Sequence, residues 1–209
     1  QLDILKRSWD KENYAIFADM GTGKSKIIID NMALLYDRGK INAALIVAPK
    51  SIIGNWEKGE IPTHMPSHID YHTVLWSPNT TQKQKKLLEP LSMVMEKLVI
   101  FIINIEALST SRGVDVVYRF LLGHNTFMAI DESTTIKNPK ALRTKNIIKM
   151  KDLAKYRRIL TGMPVTKTPL DLYSQCYFLD PYLLDFSSYY AFKSRYTVTR
   201  KIYLPGRHS

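Results

Sequence analysis

The sequence predicts an α/β fold in which a parallel sheet is covered by helices on both faces. Short apolar runs alternate with amphipathic stretches along most of the chain. Several of these runs are apolar throughout and rich in Ile, Val or Phe, a pattern typical of strands that are buried on both faces. Strand–helix alternation of this kind indicates a doubly wound domain, and 209 residues is the length of one such domain.

The expected elements follow one another in order. Strands are expected at residues 14–18, 43–48, 71–76, 98–105, 127–130 and 158–160. Helices are expected at residues 24–36, 82–97, 114–122, 140–150 and 170–179. Proline directly before two of these helices and glycine after two others fit the usual asymmetry of helix ends.

Two segments are less regular. Residues 61–68 hold two prolines and two histidines and are predicted to form a loop. The tail from Asp180 is rich in aromatic residues and ends in a basic stretch. We therefore expect one domain over residues 1–181, followed by an aromatic and basic extension over residues 182–209.

Composition narrows the classes of function. The chain has 30 Lys and Arg against 19 Asp and Glu, and this net charge of +11 favours a polyanionic partner. A single cysteine, Cys176, excludes an internal disulfide and a zinc site built from several cysteines. The longest apolar run, residues 98–103, is too short to cross a bilayer, and the polar start lacks a signal-peptide core. We expect a soluble intracellular protein with no membrane partner.

The first chemical motif is a phosphate loop, Ala18-Asp-Met-Gly-Thr-Gly-Lys24-Ser25, between a predicted strand and a predicted helix. Glycines allow backbone N–H groups to point at a phosphate, and the start of the helix adds partial positive charge. Lys24 would meet the β and γ phosphates, and the Ser25 hydroxyl would bind Mg²⁺. The alternative is a glycine turn followed by Lys and Ser by chance. The predicted nucleotide contacts of the loop are Met20, Gly21, Thr22, Gly23, Lys24, Ser25 and Lys26.

The second motif is an acidic pair, Asp131 and Glu132, at the end of an apolar strand. Ligands bind at the carboxyl ends of strands in open α/β sheets. A P-loop NTPase needs an aspartate there for Mg²⁺, and a neighbouring glutamate can deprotonate the attacking water. We assign Asp131 to the metal, and Glu132, together with Lys24, to catalysis. The alternative is a solvated acidic pair at a strand end.

With these motifs in place, nearly the whole chain resembles the first RecA-like lobe of superfamily 2 nucleic-acid-dependent ATPases. Within that superfamily it resembles the SWI/SNF-like DNA translocases. The fold implied is a RecA-like P-loop NTPase domain. The similar segments follow the order of the family: Gln1-Leu-Asp-Ile-Leu (glutamine motif), residues 18–25 (motif I), Leu45-Ile-Val-Ala-Pro-Lys-Ser51 with Asn55-Trp56-Glu57 (motif Ia), Asp131-Glu132-Ser-Thr-Thr-Ile-Lys137-Asn138 (the acidic box), Arg158-Ile-Leu-Thr161-Gly162-Met-Pro164 (motif III) and Asp171-Leu-Tyr…Phe178-Leu-Asp-Pro181 (the leucine-rich helix).

The resemblance implies roles beyond the phosphate loop. Gln1 would read adenine. Thr134, Thr161 and Gly162 would couple the state of the nucleotide to the nucleic acid. The implied contacts to the DNA backbone are Pro49, Lys50, Ser51, Lys137 and Asn138. The resemblance also implies ATP and Mg²⁺ as cofactors and duplex DNA as the track, held through its phosphates without strand separation.

The family places its arginine fingers in a second RecA-like lobe, and no segment here resembles it. We therefore expect a second lobe of the same chain as a partner, and poor hydrolysis by these 209 residues alone. Two departures from the family pattern, Thr134 in place of His and Met163 in place of Thr, favour a bacterial or phage source. A bacterial cytoplasm or an infected cell is accordingly favoured over a nucleus.

Three other readings stay open. The first is a strand-separating helicase of the same superfamily, acting on DNA or RNA. The second is a catalytically silent scaffold that binds nucleic acid, against which the presence of Lys24, Ser25 and the acidic pair argues. The third is a P-loop kinase or small-molecule ATPase, to which motifs Ia and III give no support.

Overall fold

The structure, a computed structural model, describes residues 1–79 and 97–198. Six parallel strands form one sheet in the order β1-β6-β5-β2-β4-β3, which confirms the predicted fold class. The central strands are buried on both faces because their side chains are almost all apolar. The strand bounds are β1 (Asn13–Phe17), β2 (Ala43–Ala48), β3 (Tyr71–Leu75), β4 (Leu98–Asn104), β5 (Thr126–Asp131) and β6 (Tyr156–Thr161).

Helices cover both faces of this sheet, and the sheet separates two apolar cores. Ile28 and Trp56 pack into one core, and Phe120 and Phe178 pack into the other. The helices are α1 (Leu2–Ser8), α2 (Lys24–Asp37), α3 (Ile53–Asn55), α4 (Ile61–His64), α5 (Ser111–Gly123), α6 (Leu142–Met150), α7 (Asp171–Leu179) and α8 (Tyr189–Tyr196). A π-helical turn (Trp56–Glu60) joins α3 to α4, and 3₁₀ turns cover Ile105–Ser109, Ser133–Ile136 and Lys151–Leu153.

Every predicted strand is present within two residues at each end, and so are four of the five predicted helices, apart from the start of α5. The fifth predicted helix, residues 82–97, lies outside the described residues except for its last residue. The predicted loop at residues 61–68 is wrong in its first half, because Ile61–His64 is helical. Helix α4 directly follows the π-helical turn Trp56–Glu60, so the helical run continues through Pro62, and Ile61 is fully buried.

The aromatic tail folds back onto the sheet domain as α8. Phe192 is only 3% exposed, and its ring lies 5.5 Å from the ring of Tyr173 in α7 and 4.7 Å from that of Tyr196. The ring of Phe186 contacts the ring of Phe192 edge-on, with 5.1 Å between the ring centres. Residues assigned to an extension are thus packed on the domain through an aromatic cluster, and the boundary after residue 181 stays a prediction.

None of the helices in the described ranges combines the length and the hydropathy that a membrane span requires.

Candidate nucleotide-binding site

The phosphate loop connects β1 to α2 at the carboxyl edge of the sheet. Gly21 and Gly23 have φ of 76° and 80°, a left-handed conformation that favours glycine. The ammonium of Lys24 donates to the carbonyls of Ala18 and Asp19, at 2.8 Å each. The loop therefore holds its lysine over its own backbone, at the start of a fourteen-residue helix whose first N–H groups have no side-chain cap.

Gln1 lies directly against this loop. Its side-chain amide donates to the carbonyl of Thr22 at 3.1 Å. A Cβ placed on Gly23 would lie 2.1 Å from the same amide nitrogen, but this flexible side chain could move, so the left-handed backbone conformation is what favours glycine there. The structure thus brings the predicted adenine reader and the predicted phosphate loop together.

Two other predicted nucleotide contacts, Met20 and Lys26, have surroundings that differ from those of Gln1. Met20 is 85% exposed at the tip of the loop. The ammonium of Lys26 pairs with Asp30 one turn along α2, at 2.8 Å. The side chain of Lys26 thus points along its own helix.

The carboxylate of Asp131 is held at the end of β5. Its Oδ2 accepts a hydrogen bond from the indole Nε1 of Trp56 at 2.9 Å, and its Oδ1 accepts from the backbone N–H of Glu132 at 2.9 Å. Burial raises the pKa of Asp131, and these two hydrogen bonds oppose that rise. Two donors thus fix the orientation of the proposed metal ligand.

The sequence shows Trp56 only as part of the segment similar to motif Ia and does not reveal its polar contact. The residue is 1% exposed, and a buried indole N–H normally has a partner. That rule was the available signal, although it could not name Asp131 as the acceptor. Trp56 comes from the turn after α3 and reaches the acidic box across the edge of the sheet.

Glu132 adopts a left-handed backbone conformation, with φ 49° and ψ 60°. Such a conformation is unfavourable for a non-glycine residue and is typical of functional sites. The hydroxyl of Thr161 donates to Oε2 of Glu132 at 3.3 Å. Strands β5 and β6 are neighbours, so the parallel sheet brings the predicted base and the predicted coupling residue together.

The other predicted coupling residues lie nearby. Gly162 follows Thr161 directly, and a Cβ there would lie 3.6 Å from the carbonyl of Ala18 in the phosphate loop. Thr134 is half-buried in the 3₁₀ turn after the acidic pair. Ser133, the residue before Thr134, makes a hydrogen bond from this turn to α7.

The predicted nucleic-acid contacts form two groups. Lys50 and Ser51 are exposed after β2, and Pro49 is half-buried beside them. Asn138 is exposed, and its Oδ1 accepts a hydrogen bond from the backbone N–H of Lys140 at 2.9 Å. Lys137 is already engaged, because its ammonium contacts the Thr166 hydroxyl and lies 3.5 Å from a carboxylate oxygen of Asp171.

Asp171 gathers several donors at the start of α7. Its Oδ2 accepts from the backbone N–H groups of Thr166 and Lys167, at 2.9 Å each, and from the Thr166 hydroxyl at 2.7 Å. Burial alone would raise the pKa of Asp171, but these hydrogen bonds and the charge of Lys137 lower it to about 2. The ionised carboxylate therefore ties the motif III loop to the tail of the acidic box.

We expect Asp171→Asn to lower the free energy of unfolding by on the order of 1 kcal/mol near neutral pH. A carboxyl group whose pKa falls on folding stabilises above its unfolded value of about 3.9, and this contribution is lost as pH falls toward 2. Denaturant unfolding at pH 7, 4 and 2.5 should show a difference from wild type that is nearly unchanged at pH 4 and clearly smaller at pH 2.5. Asp3→Asn, at a carboxylate that is 74% exposed and pairs with the exposed Arg7, is the control. A difference that does not change with pH would contradict the expectation.

Comparison with known proteins identifies the family. The profile of the SNF2-related domain matches residues 4–201. The chain is 28% identical over 178 residues to a SWI/SNF-related matrix-associated actin-dependent regulator of chromatin, subfamily A containing DEAD/H box 1, from Xenopus tropicalis, covering 85% of this chain and 17% of that protein. It is 30% identical over 172 residues to the Caenorhabditis elegans homolog, covering 82% of this chain and 16% of the homolog.

Among solved structures, the Sulfolobus solfataricus SWI2/SNF2 ATPase core in complex with dsDNA matches with a TM-score of 0.65 and 26% identity. The match covers 92% of this chain and 35% of that chain. The chain thus spans about a sixth of the length of the two relatives and about a third of the solved core. The profile match over nearly the whole length shows that the chain belongs to the SNF2-related domain family.

Proposed function

We propose that this chain is the ATP-binding lobe of a DNA-dependent ATPase that translocates on duplex DNA. The observation that carries the proposal is the convergence of Gln1, the phosphate loop, Asp131 and the Glu132–Thr161 pair at one edge of the sheet. A site of this composition has a phosphate cradle, a metal ligand, a base and a sensor of the nucleotide. These are the parts that P-loop NTP hydrolysis requires.

Each residue has a distinct task in this proposal. Lys24 exchanges the carbonyls of Ala18 and Asp19 for the β and γ phosphates of ATP. The Ser25 hydroxyl and the Asp131 carboxylate are hard oxygen donors of the kind that Mg²⁺ takes, so the residues fit that ion. When bound, Mg²⁺ neutralises charge on the phosphates. Glu132 accepts a proton from the attacking water, and its contact with Thr161 reports the state of the site to motif III.

The DNA track is proposed from the family and from charge. The similar archaeal ATPase core forms a complex with dsDNA, which supports a duplex here. The exposed Lys50 and Ser51 lie after β2, at the same edge of the sheet as the nucleotide site. Contacts to phosphates carry no sequence information, so we expect little sequence preference and strong dependence on salt.

Three further parts of the proposal extend beyond this lobe. A second RecA-like lobe of the same chain would close over ATP and supply arginine fingers, without which hydrolysis is expected to be slow. The departures at Thr134 and Met163 support a bacterial or phage source and, with it, a cytoplasmic location.

The test measures ATP hydrolysis by the full-length protein with no nucleic acid, with single-stranded DNA, with duplex DNA and with RNA. We expect duplex DNA to give the largest stimulation, and Lys24→Ala to reduce hydrolysis to background because the phosphates lose their cation. A strand-displacement assay on the same duplex should show no unwinding. Absence of stimulation by duplex DNA would overturn the proposal, and unwinding would favour the helicase alternative.

A further inference from the structure

Gln175 is a buried amide that joins two motifs of the nucleotide site. It is fully buried in the second turn of α7. Its Nε2 donates to the carbonyls of Pro164 and Asp171, at 2.8 and 2.7 Å, and its Oε1 accepts from the Ser133 hydroxyl at 2.6 Å. One side chain thus connects the acidic box, the motif III loop and α7.

The residue that Gln175 holds in the acidic box follows the proposed base directly. Ser133 is itself fully buried, and Glu132 before it has the left-handed backbone described above. A backbone in that region persists only where its surroundings determine it. The turn is fixed from one side by Asp131, whose carboxylate accepts from the N–H of Glu132, and from the other by the contact between Ser133 and Gln175.

The chemistry of these hydrogen bonds indicates that Gln175 orients its neighbours more than it stabilises the fold. A buried amide must have its hydrogen bonds made, and its net contribution to stability is small compared with an apolar side chain of similar size. Hydrogen bonds to two other segments and to its own helix do fix direction, since each constrains the amide plane. A leucine in α7 would fill the same space and leave the hydroxyl of Ser133 without an acceptor.

We propose that Gln175 is a positioning residue that, through Ser133, sets the orientation of Glu132 for attack by water and links it to the motif III loop. This inference rests on the proposed ATPase function. Asp171, one turn earlier on α7, ties the same loop to Lys137, so this helix joins the base to a predicted DNA contact. Gln175 touches none of the reacting atoms in this assignment and acts only through its neighbours.

The test uses the full-length protein with duplex DNA and compares Gln175→Leu with Ser174→Ala. Ser174 is equally buried on the same turn, and its hydroxyl has no partner among the described residues. We expect Gln175→Leu to lower kcat about 10- to 100-fold, the scale of a misplaced catalytic group, with KM for ATP and the melting temperature close to those of Ser174→Ala. Ser133→Ala should also lower kcat, and the double variant should lose no more than Gln175→Leu, because the contact that Ser133→Ala removes is one of the three that Gln175→Leu removes.

The outcomes separate the two proposals. Hydrolysis by Gln175→Leu at the wild-type rate, or a loss that follows the melting temperature or the affinity for ATP, would overturn the positioning role. Additive losses in the double variant would also overturn it. If wild type itself shows no DNA-stimulated hydrolysis, the proposed function fails, and the assignment of Gln175 fails with it. If Gln175→Leu does not fold, a normal kcat in the smaller change Ser133→Ala would overturn the role.

Discussion

Replacing Glu132 with glutamine is expected to stop ATP turnover while leaving ATP binding intact. The amide has the shape of the carboxylate and keeps an oxygen for the Thr161 hydroxyl, so the left-handed turn and the site around it should persist. It has no basic oxygen to take a proton from water. General-base catalysis contributes roughly 10²- to 10⁴-fold, and kcat with duplex DNA should fall by that factor.

Two comparisons make this result specific. Lys24→Ala should lose ATP binding as well as hydrolysis, so equilibrium binding of ATP separates the two variants. Glu12→Gln changes a carboxylate that is 64% exposed and 4.0 Å from Lys155, and it should hydrolyse ATP at the wild-type rate. If Glu132→Gln keeps more than about a tenth of the wild-type kcat, Glu132 is not the base.

The predictability of the fold from sequence differs between elements for a physical reason. The strands β2 and β4 are buried on both faces, so nearly all of their residues are apolar, and the apolar runs predict them from the sequence. Helices α1 and α4 are short, and no side chain caps their N-termini. Their local sequence carries little helical signal, and tertiary contacts, such as that of the buried Ile61, determine them.

The site divides in the same way. The phosphate loop and the acidic pair are local in sequence, because backbone conformation and strand ends define them. The contacts of Trp56 with Asp131 and of Gln175 with Ser133 join residues 75 and 42 positions apart. No spacing rule predicts such a pair. Only the packing of α7 and of the turn after α3 against the sheet edge makes these residues part of the site.

Arg158 is a fully buried residue whose hydrogen bonds also depend on packing between distant segments. The guanidinium is fully buried in β6, and burial lowers its pKa to about 10, so it stays charged at neutral pH. Its described hydrogen-bond acceptors are uncharged oxygens, at 2.7 to 3.1 Å. They are the carbonyls of Ser8, Lys11, Glu12 and Arg157 and the side-chain oxygen of Asn31. Three of the five belong to the last residue of α1 and the segment that joins α1 to β1.

We expect Arg158→Met to lower the free energy of unfolding by about 3 kcal/mol, because buried oxygens that accept from the guanidinium lose these hydrogen bonds. Five oxygens lose a hydrogen bond, although the carbonyls of Ser8 and Glu12 each keep a backbone donor, and a buried acceptor left without a donor is unfavourable. Denaturant unfolding should show this loss, whereas Arg119→Met, at an exposed pair with Asp115, should change stability by less than about 1 kcal/mol. Equal losses in the two variants would contradict the expectation. One of these hydrogen bonds holds the end of α1 at Ser8, and Gln1, which precedes α1, contacts the phosphate loop. The Arg158→Met protein that remains folded should therefore also bind ATP more weakly.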